Sequence, residues 1–236
     1  MTAGILPCRA ESLTCQVAGE TLVDGLTFEL TAGTRTVILG PNGAGKSVTL
    51  RLLHGLAAPT GGRLVWAGPR PRERQTMVFQ RPVMLRRSAA ANVDFALSLK
   101  AVAGPARRQR RDRVLADTGL ADIARRPARV LSAGEQQRLA LARAWALAPE
   151  VLFLDEPSAS LDPAATRAVE EIITRIHLSG CKIVMTTHDL GQARRLADEV
   201  MFLHRGRLVE QGAAKAFFEN PTTTEARTFL AGDLLW

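Results

Sequence analysis

The segment Gly40-Pro41-Asn42-Gly43-Ala44-Gly45-Lys46-Ser47 fits G-x-x-x-x-G-K-[ST], the spacing of a phosphate-binding loop. Glycines let successive backbone N–H groups converge on phosphate oxygens, and a helix N-terminus adds partial positive charge. In that chemistry Lys46 reaches the β- and γ-phosphates, and the Ser47 hydroxyl ligates Mg²⁺. The flanks agree with this. The apolar run Thr36-Val37-Ile38-Leu39 reads as a strand, and Val48-Thr49-Leu50-Arg51-Leu52-Leu53 reads as a helix.

A second chemical pair stands at Val151-Leu-Phe-Leu-Asp155-Glu156, an apolar strand ending in two carboxylates. Ligands of open α/β sheets bind at the carboxyl ends of strands, so both segments point to one crevice. Asp155 is placed to hold Mg²⁺ there, and Glu156 to take a proton from an attacking water. Upstream of it, Ser132-Ala133-Gly134-Glu135 precedes a helical stretch through Leu139 to Leu147. Two readings share that geometry. One is an S-x-x-E capping box in which Gly134 is merely tolerated; the other is a γ-phosphate site on a helix N-terminus.

Further elements must position these residues. Leu26–Leu30 and Arg63–Trp66 read as short strands of a sheet-rich lobe, and Thr76–Gln80 as another strand. From about Asn92 to Leu147 the pattern is helical, with an Arg/Ala-rich middle. Val151–Asp155, Ile183–Thr187 and Val200–Leu203 are nearly continuous apolar runs, suited to a parallel sheet covered on both faces. Between the first two, Asp162-Pro163 supplies an N-cap and first turn. Val169, Ile172, Ile173 and Ile176 keep helical spacing, and Gly180 ends the helix. The expected fold is α/β: a parallel-sheet core of the RecA-like P-loop NTPase type, an N-terminal antiparallel β lobe and an inserted helical subdomain. The single domain 1–236 divides into core and lobe (1–80 and 146–236) and helical part (81–145).

In this order the motifs resemble the nucleotide-binding subunit of ABC transporters over nearly the whole chain. The resemblance rests on the phosphate loop, the Asp155-Glu156 strand and the Leu131-Ser132-Ala133-Gly134-Glu135 stretch. It extends to Gln80 as the Q-loop glutamine, Ser160-Leu161-Asp162 as the D-loop, and His188 after Thr186-Thr187 as the switch histidine. The resemblance implies ATP and Mg²⁺ as cofactors, with Ser47, Gln80 and Asp155 around the metal. Catalysis would fall to Glu156, with His188 steadying the transition state and Gln80 sensing the γ-phosphate and a membrane partner. It also implies two copies that sandwich two ATP molecules head to tail, Ser132, Gly134 and Asp162 of one copy facing the phosphate loop of the other. Permease subunits and, through them, a substrate-binding protein would complete the assembly at the cytoplasmic face of the cell membrane.

Departures from the family pattern are informative. Val48 stands where threonine is usual, Ala133 replaces a glycine and Glu135 a glutamine. Val17 aligns with the aromatic, often tyrosine, that stacks on adenine, and the chain has no tyrosine at all. Weak adenine selectivity is the expected consequence, since base–aromatic stacking is worth about 1–3 kcal/mol.

Composition narrows the function classes. No run of about 18 apolar residues exists, and the N-terminus lacks the basic and apolar pattern of a signal peptide. The three cysteines, Cys8, Cys15 and Cys181, lack metal-ligand spacing and read as reduced thiols of a cytosolic protein. The net charge is +8, with arginines dense at 107–113 and 125–129 but no aromatics between them. That pattern favours a solvated helical face over a nucleic-acid site, and no nucleic acid is expected; proximity to anionic lipid stays open. Phe79–Ser88 and the ending Ala231–Trp236 look like the tungstate-type branch of oxyanion importers, without the C-terminal β-domain of some relatives. The alternatives are a DNA-maintenance or translation ATPase built on the same module, and an exporter subunit.

Overall fold

The computed structural model describes residues 4–233, so the end of the Ala231–Trp236 stretch lies outside the described residues. The chain forms two sheets. Strands β1 (Cys8–Val17), β2 (Glu20–Leu30) and β4 (Gly61–Trp66) make a three-stranded antiparallel sheet in the order β2-β1-β4. The six-stranded sheet runs in the order β5 (Gln75–Val78), β6 (Val151–Asp155), β7 (Lys182–Thr186), β3 (Arg35–Leu39), β8 (Glu199–His204), β9 (Arg207–Ala213). Its first five strands are parallel and β9 is an antiparallel edge.

Every residue of β6 and β7 is buried, as the unbroken apolar runs require. Alternate side chains feed two cores, because successive residues of a strand point to opposite faces. Val151, Phe153 and Val184 pack with the antiparallel lobe and with α1 (Lys46–His54). Leu152, Leu154, Ile183 and Met185 pack with α2 (Ala89–Leu99), α3 (Gly104–Asp117), α4 (Ala133–Ala146) and α5 (Pro163–Leu178). Full burial of a side chain such as Phe153 contributes about 1.5–3 kcal/mol. With two cores gripping it, the central sheet is a rigid base for the loops at its carboxyl edge.

Several boundaries differ from the expectation. The strand expected at Thr76–Gln80 ends at Val78, so Gln80 lies in the loop beyond it. The helical stretch begins at Ala89 rather than Asn92, because the Ser88 hydroxyl accepts from Ala91 N and caps it. Strand β1 was hidden by a register shift between Ala10 and Leu13, where Ser12 takes a positive φ of 49° and the buried set changes phase. Strand β9 and the short helices α6 (Leu190–Leu196), α7 (Ala214–Glu219) and α8 (Thr224–Ala231) carry mixed polar patterns with no clear period.

The arginine-rich segment is partly structural. Arg107 donates to the Val102 carbonyl and Arg129 to that of Met84, while Arg111 pairs with Asp94 and Asp112. Arg126 approaches Glu135 at 3.8 Å and Arg113 approaches Asp117 at 3.7 Å.

Candidate functional site

The phosphate loop joins β3 to α1, at the carboxyl ends of the parallel strands. Gly40 and Gly45 are glycines for reasons of space as well as backbone conformation. A Cβ on Gly40 would meet the Leu203 carbonyl oxygen at 2.2 Å, and one on Gly45 would meet that of Leu22 at 2.6 Å. Positive φ at Gly40, Gly43 and Gly45 turns the loop around a concavity of about 240 Å³ lined by Asn42 to Val48, Leu22 and Glu156. Lys46 is buried, and its ammonium donates to the carbonyls of Gly40 (2.7 Å) and Pro41 (2.9 Å). Burial pushes its pKa below the ordinary lysine value, while Glu156 and Asp155 pull it back up. A cation thus sits in a cradle of glycine backbone, which suits polyphosphate.

Asp155 and Glu156 close strand β6. Asp155 Oδ1 accepts from the Ser47 hydroxyl at 2.7 Å and from the Thr186 hydroxyl at 2.8 Å. Glu156 follows with a positive φ of 45°, a conformation costly for a residue with a side chain. Its N–H donates to Thr186 Oγ1 at 3.0 Å and to the Thr186 carbonyl at 3.2 Å, which anchors the turn. The turn brings the Glu156 carboxylate to two other predicted residues. Gln80 Nε2 donates to Glu156 Oε2 at 3.3 Å, and His188 Nδ1 lies 3.1 Å from the same oxygen. These three residues line, with Gly40, Pro41, Asn42 and Phe229, a second cavity of about 530 Å³. An acid held between an amide and an imidazole beside a phosphate cradle can accept a proton from water.

The donor set around this cradle fits Mg²⁺. It offers a hydroxyl (Ser47), a carboxylate (Asp155) and a carboxamide (Gln80), all hard oxygen ligands, with nucleotide phosphates and water able to complete the shell. Among the described residues no group of three or more His, Cys, Asp or Glu side chains converges as a metal site of its own.

Ser132, Gly134 and Asp162 meet elsewhere. Both bonds of the expected capping box form: Glu135 N to Ser132 Oγ at 3.3 Å and Ser132 N to Glu135 Oε2 at 2.7 Å. The reading of Gly134 as merely tolerated needs correction. A Cβ there would meet the Ala165 Cβ at 2.7 Å, so close packing of α4 on α5 favours glycine. Asp162 caps α5 through Ala165 N at 2.9 Å. Ser132, Gly134 and Asp162 share a cavity of about 410 Å³, none of whose lining residues lines the phosphate-loop cavity.

Val17 closes β1 with 55% of its surface exposed and lines neither of the two cavities at the loop. The β-lobe residue that does is Leu22. Sequence reasoning missed it, because a leucine in an alternating strand signals only packing. Phe229 was missed as well; it reaches the Glu156 cavity from α8 and stacks on Phe202 with ring centroids 5.0 Å apart. Thr186, which in the sequence is only a neighbour of His188, touches both acids.

A parallel sheet carrying a phosphate loop after one strand and an acid pair after another defines a P-loop nucleoside triphosphatase. Residues 23–159 match the family described as ABC transporter, and the chain belongs to that family. It is an ATP hydrolase of the transporter type. The chain is 38% identical over 200 residues to the tungstate uptake system ATP-binding protein TupC of Peptoclostridium acidaminophilum, a match covering 83% of this chain and 91% of that protein. It is 34% identical over 241 residues to the phosphate import ATP-binding protein PstB 2 of Natronomonas pharaonis, covering 92% and 84%. Against the methionine import ATP-binding protein MetN of Corynebacterium diphtheriae it spans 67% of the longer relative, at 34% identity. Among solved structures it is similar to cbiO1 from Clostridium perfringens, described as part of the ABC transporter complex cbiONQ. The TM-score is 0.82 at 29% identity, with 90% of each chain covered.

Proposed function

We propose that this chain energises an importer of an oxyanion such as tungstate, working as a head-to-tail pair of copies at the cytoplasmic face of the cell membrane. The observation that carries the ATPase mechanism is the gathering of Gln80 and His188 on one oxygen of Glu156, beside the phosphate cradle. In this reading Gly40 to Val48 wrap the phosphates, and Lys46 turns its ammonium from the loop carbonyls toward them. Glu156 accepts the proton of the attacking water, while His188 and Gln80 orient that carboxylate. Ser47, Asp155 and Gln80 would hold Mg²⁺, which when bound neutralises charge developing on the transferred phosphoryl group.

The pairing is supported by the separation of the two cavities. Ser132 and Gly134 offer a capped helix N-terminus, suited to the far side of a γ-phosphate, but they face a different cavity from Lys46. A two-fold pair would bring each such helix to the phosphate loop of the other copy, with an isologous interface.

The permease reading is supported by an apolar groove of about 260 Å³ that begins next to Gln80. Phe79, Val83, Phe95 and Leu99 line it, with Val83 77% and Leu99 71% exposed. No described helix is long and apolar enough to cross a membrane. A separate membrane-spanning partner inserted there would press on the loop that carries Gln80, linking its movement to Glu156. The helical part, 81–145, would be the piece that moves. Import of an oxyanion is supported by relatives named for tungstate and phosphate, although methionine import relatives match as well.

Affinity purification of the tagged chain from its native membrane is expected to bring down a small multi-span permease and an oxyanion-binding protein. Recovery of tight, salt-sensitive DNA complexes with no permease would overturn this reading. The base end of the nucleotide gives a separate expectation. With an exposed valine where stacking would occur, Val17→Tyr tightens ATP binding several-fold over wild type. Equal affinities in a fluorescent-nucleotide titration would remove Val17 from the base site.

A further inference from the structure

Thr186 ends strand β7 in register with Asp155, the two residues being direct partners across the parallel ladder. It is fully buried and lines neither the loop cavity nor the Glu156 cavity, so a bound nucleotide does not compete for its hydroxyl. The direction of its two hydrogen bonds follows from chemistry alone. The Glu156 N–H can only donate, so Thr186 Oγ1 accepts there, at 3.0 Å. The Asp155 carboxylate oxygen accepts, so the single hydroxyl proton goes to Asp155 Oδ1, at 2.8 Å. One buried hydroxyl thus bridges the side chain of the first acid and the backbone of the second.

Both contacts fall where geometry is costly. Asp155 is buried, and its Oδ1 takes the Thr186 and Ser47 bonds together while Oδ2 accepts none from the described residues. That asymmetry fixes the carboxylate's orientation. Glu156 sits at a φ of 45°, a left-handed conformation unfavourable for a residue other than glycine. The bonds from its N–H to Thr186 hold it there. A valine would fill the same space at this strand end and make neither side-chain contact.

We propose that Thr186 is a positioning residue for both acids: through its hydroxyl it orients Asp155, which with Ser47 would hold Mg²⁺, and it holds Glu156 in its proton-accepting pose. The proposal rests on the reading of Ser47 and Asp155 as Mg²⁺ ligands. A hydrogen bond to a charged group is worth about 1.5–3 kcal/mol. Its loss corresponds to roughly tenfold or more in an equilibrium at 1.4 kcal/mol per decade.

The test titrates ATP against wild type, Thr186→Val and Thr186→Ser, with Mg²⁺ and with EDTA, and measures turnover and nucleotide-free melting alongside. Wild type binds ATP more tightly with Mg²⁺ than with EDTA. In Thr186→Val that ratio falls about tenfold while the EDTA affinity holds, and kcat at saturating MgATP falls at least tenfold. Thr186→Ser, which keeps the hydroxyl, stays within about threefold of wild type on both readouts. A valine variant that melts lower but keeps the Mg²⁺ ratio and kcat shows a purely structural threonine and overturns the proposal. So does a serine variant as impaired as valine. Should the valine chain fail to fold, Thr186→Ala is read by the same criteria. A wild type indifferent to Mg²⁺ would instead overturn the metal reading beneath the proposal, which separates the two failures.

Discussion

Glu156→Gln is expected to bind ATP with near wild-type affinity while its steady-state turnover falls by about 10²–10⁴, the usual worth of a positioned general base. Glutamine keeps the size of the side chain and an oxygen for the Gln80 and His188 contacts, now 3.3 and 3.1 Å from Glu156 Oε2. What it loses is the capacity to take a proton. The lost rate corresponds to about 2.7–5.5 kcal/mol of transition-state stabilisation. Single-turnover hydrolysis, with binding measured separately, resolves the two effects. Near-normal turnover by this variant would remove Glu156 from the mechanism and leave its clustering with His188 without a catalytic explanation.

Lys46→Met is expected to act earlier, at binding. Methionine keeps the apolar stem that α1 buries but removes the ammonium that bridges the Gly40 and Pro41 carbonyls. Those carbonyls would then face the phosphates with no cation between them. Charge-assisted bonds are worth about 1.5–3 kcal/mol each, so ATP affinity should drop roughly tenfold to a hundredfold. Folding should be little affected, because burial already disfavours the charged lysine. Equilibrium titration with a fluorescent ATP analogue, paired with thermal melting, measures both; unchanged affinity would mean that the loop backbone alone binds the nucleotide.

The residues that do chemistry were more legible than the scaffold around them. The phosphate loop announces itself because a backbone cradle needs glycines at fixed spacing, and Gly40 and Gly45 prove to lack room for any side chain. Strands β6 and β7 were legible because burial on both faces demands unbroken apolar runs. Strand β1 was not, since a bulge at Ser12 breaks its alternation, and neither was β9, a half-buried edge with a mixed pattern. Contacts made at a distance in sequence were illegible for a different reason. Leu22, Phe229 and Thr186 are ordinary packing types, and only the fold brings them to the phosphate loop, to His188 and to the two acids. Gly134 lies between these cases: its motif was visible, but the approach of Ala165 was not.

In the proposed pair, Ser132 and Gly134 of a second copy complete the loop from Gly40 to Ser47. Complementation tests it directly. Lys46→Met disables the loop, and Ser132→Arg blocks the other half at an exposed position, for about 1 kcal/mol of lost capping. Each variant alone should be inactive. Mixed in equal amounts, they form pairs in which one site joins an intact loop from the Ser132→Arg chain to an intact Ser132 from the Lys46→Met chain. ATP hydrolysis is expected to reappear in the mixture and to rise with protein concentration. Wild-type turnover by Ser132→Arg alone, or a mixture as inactive as its components while both chains remain folded, would contradict it.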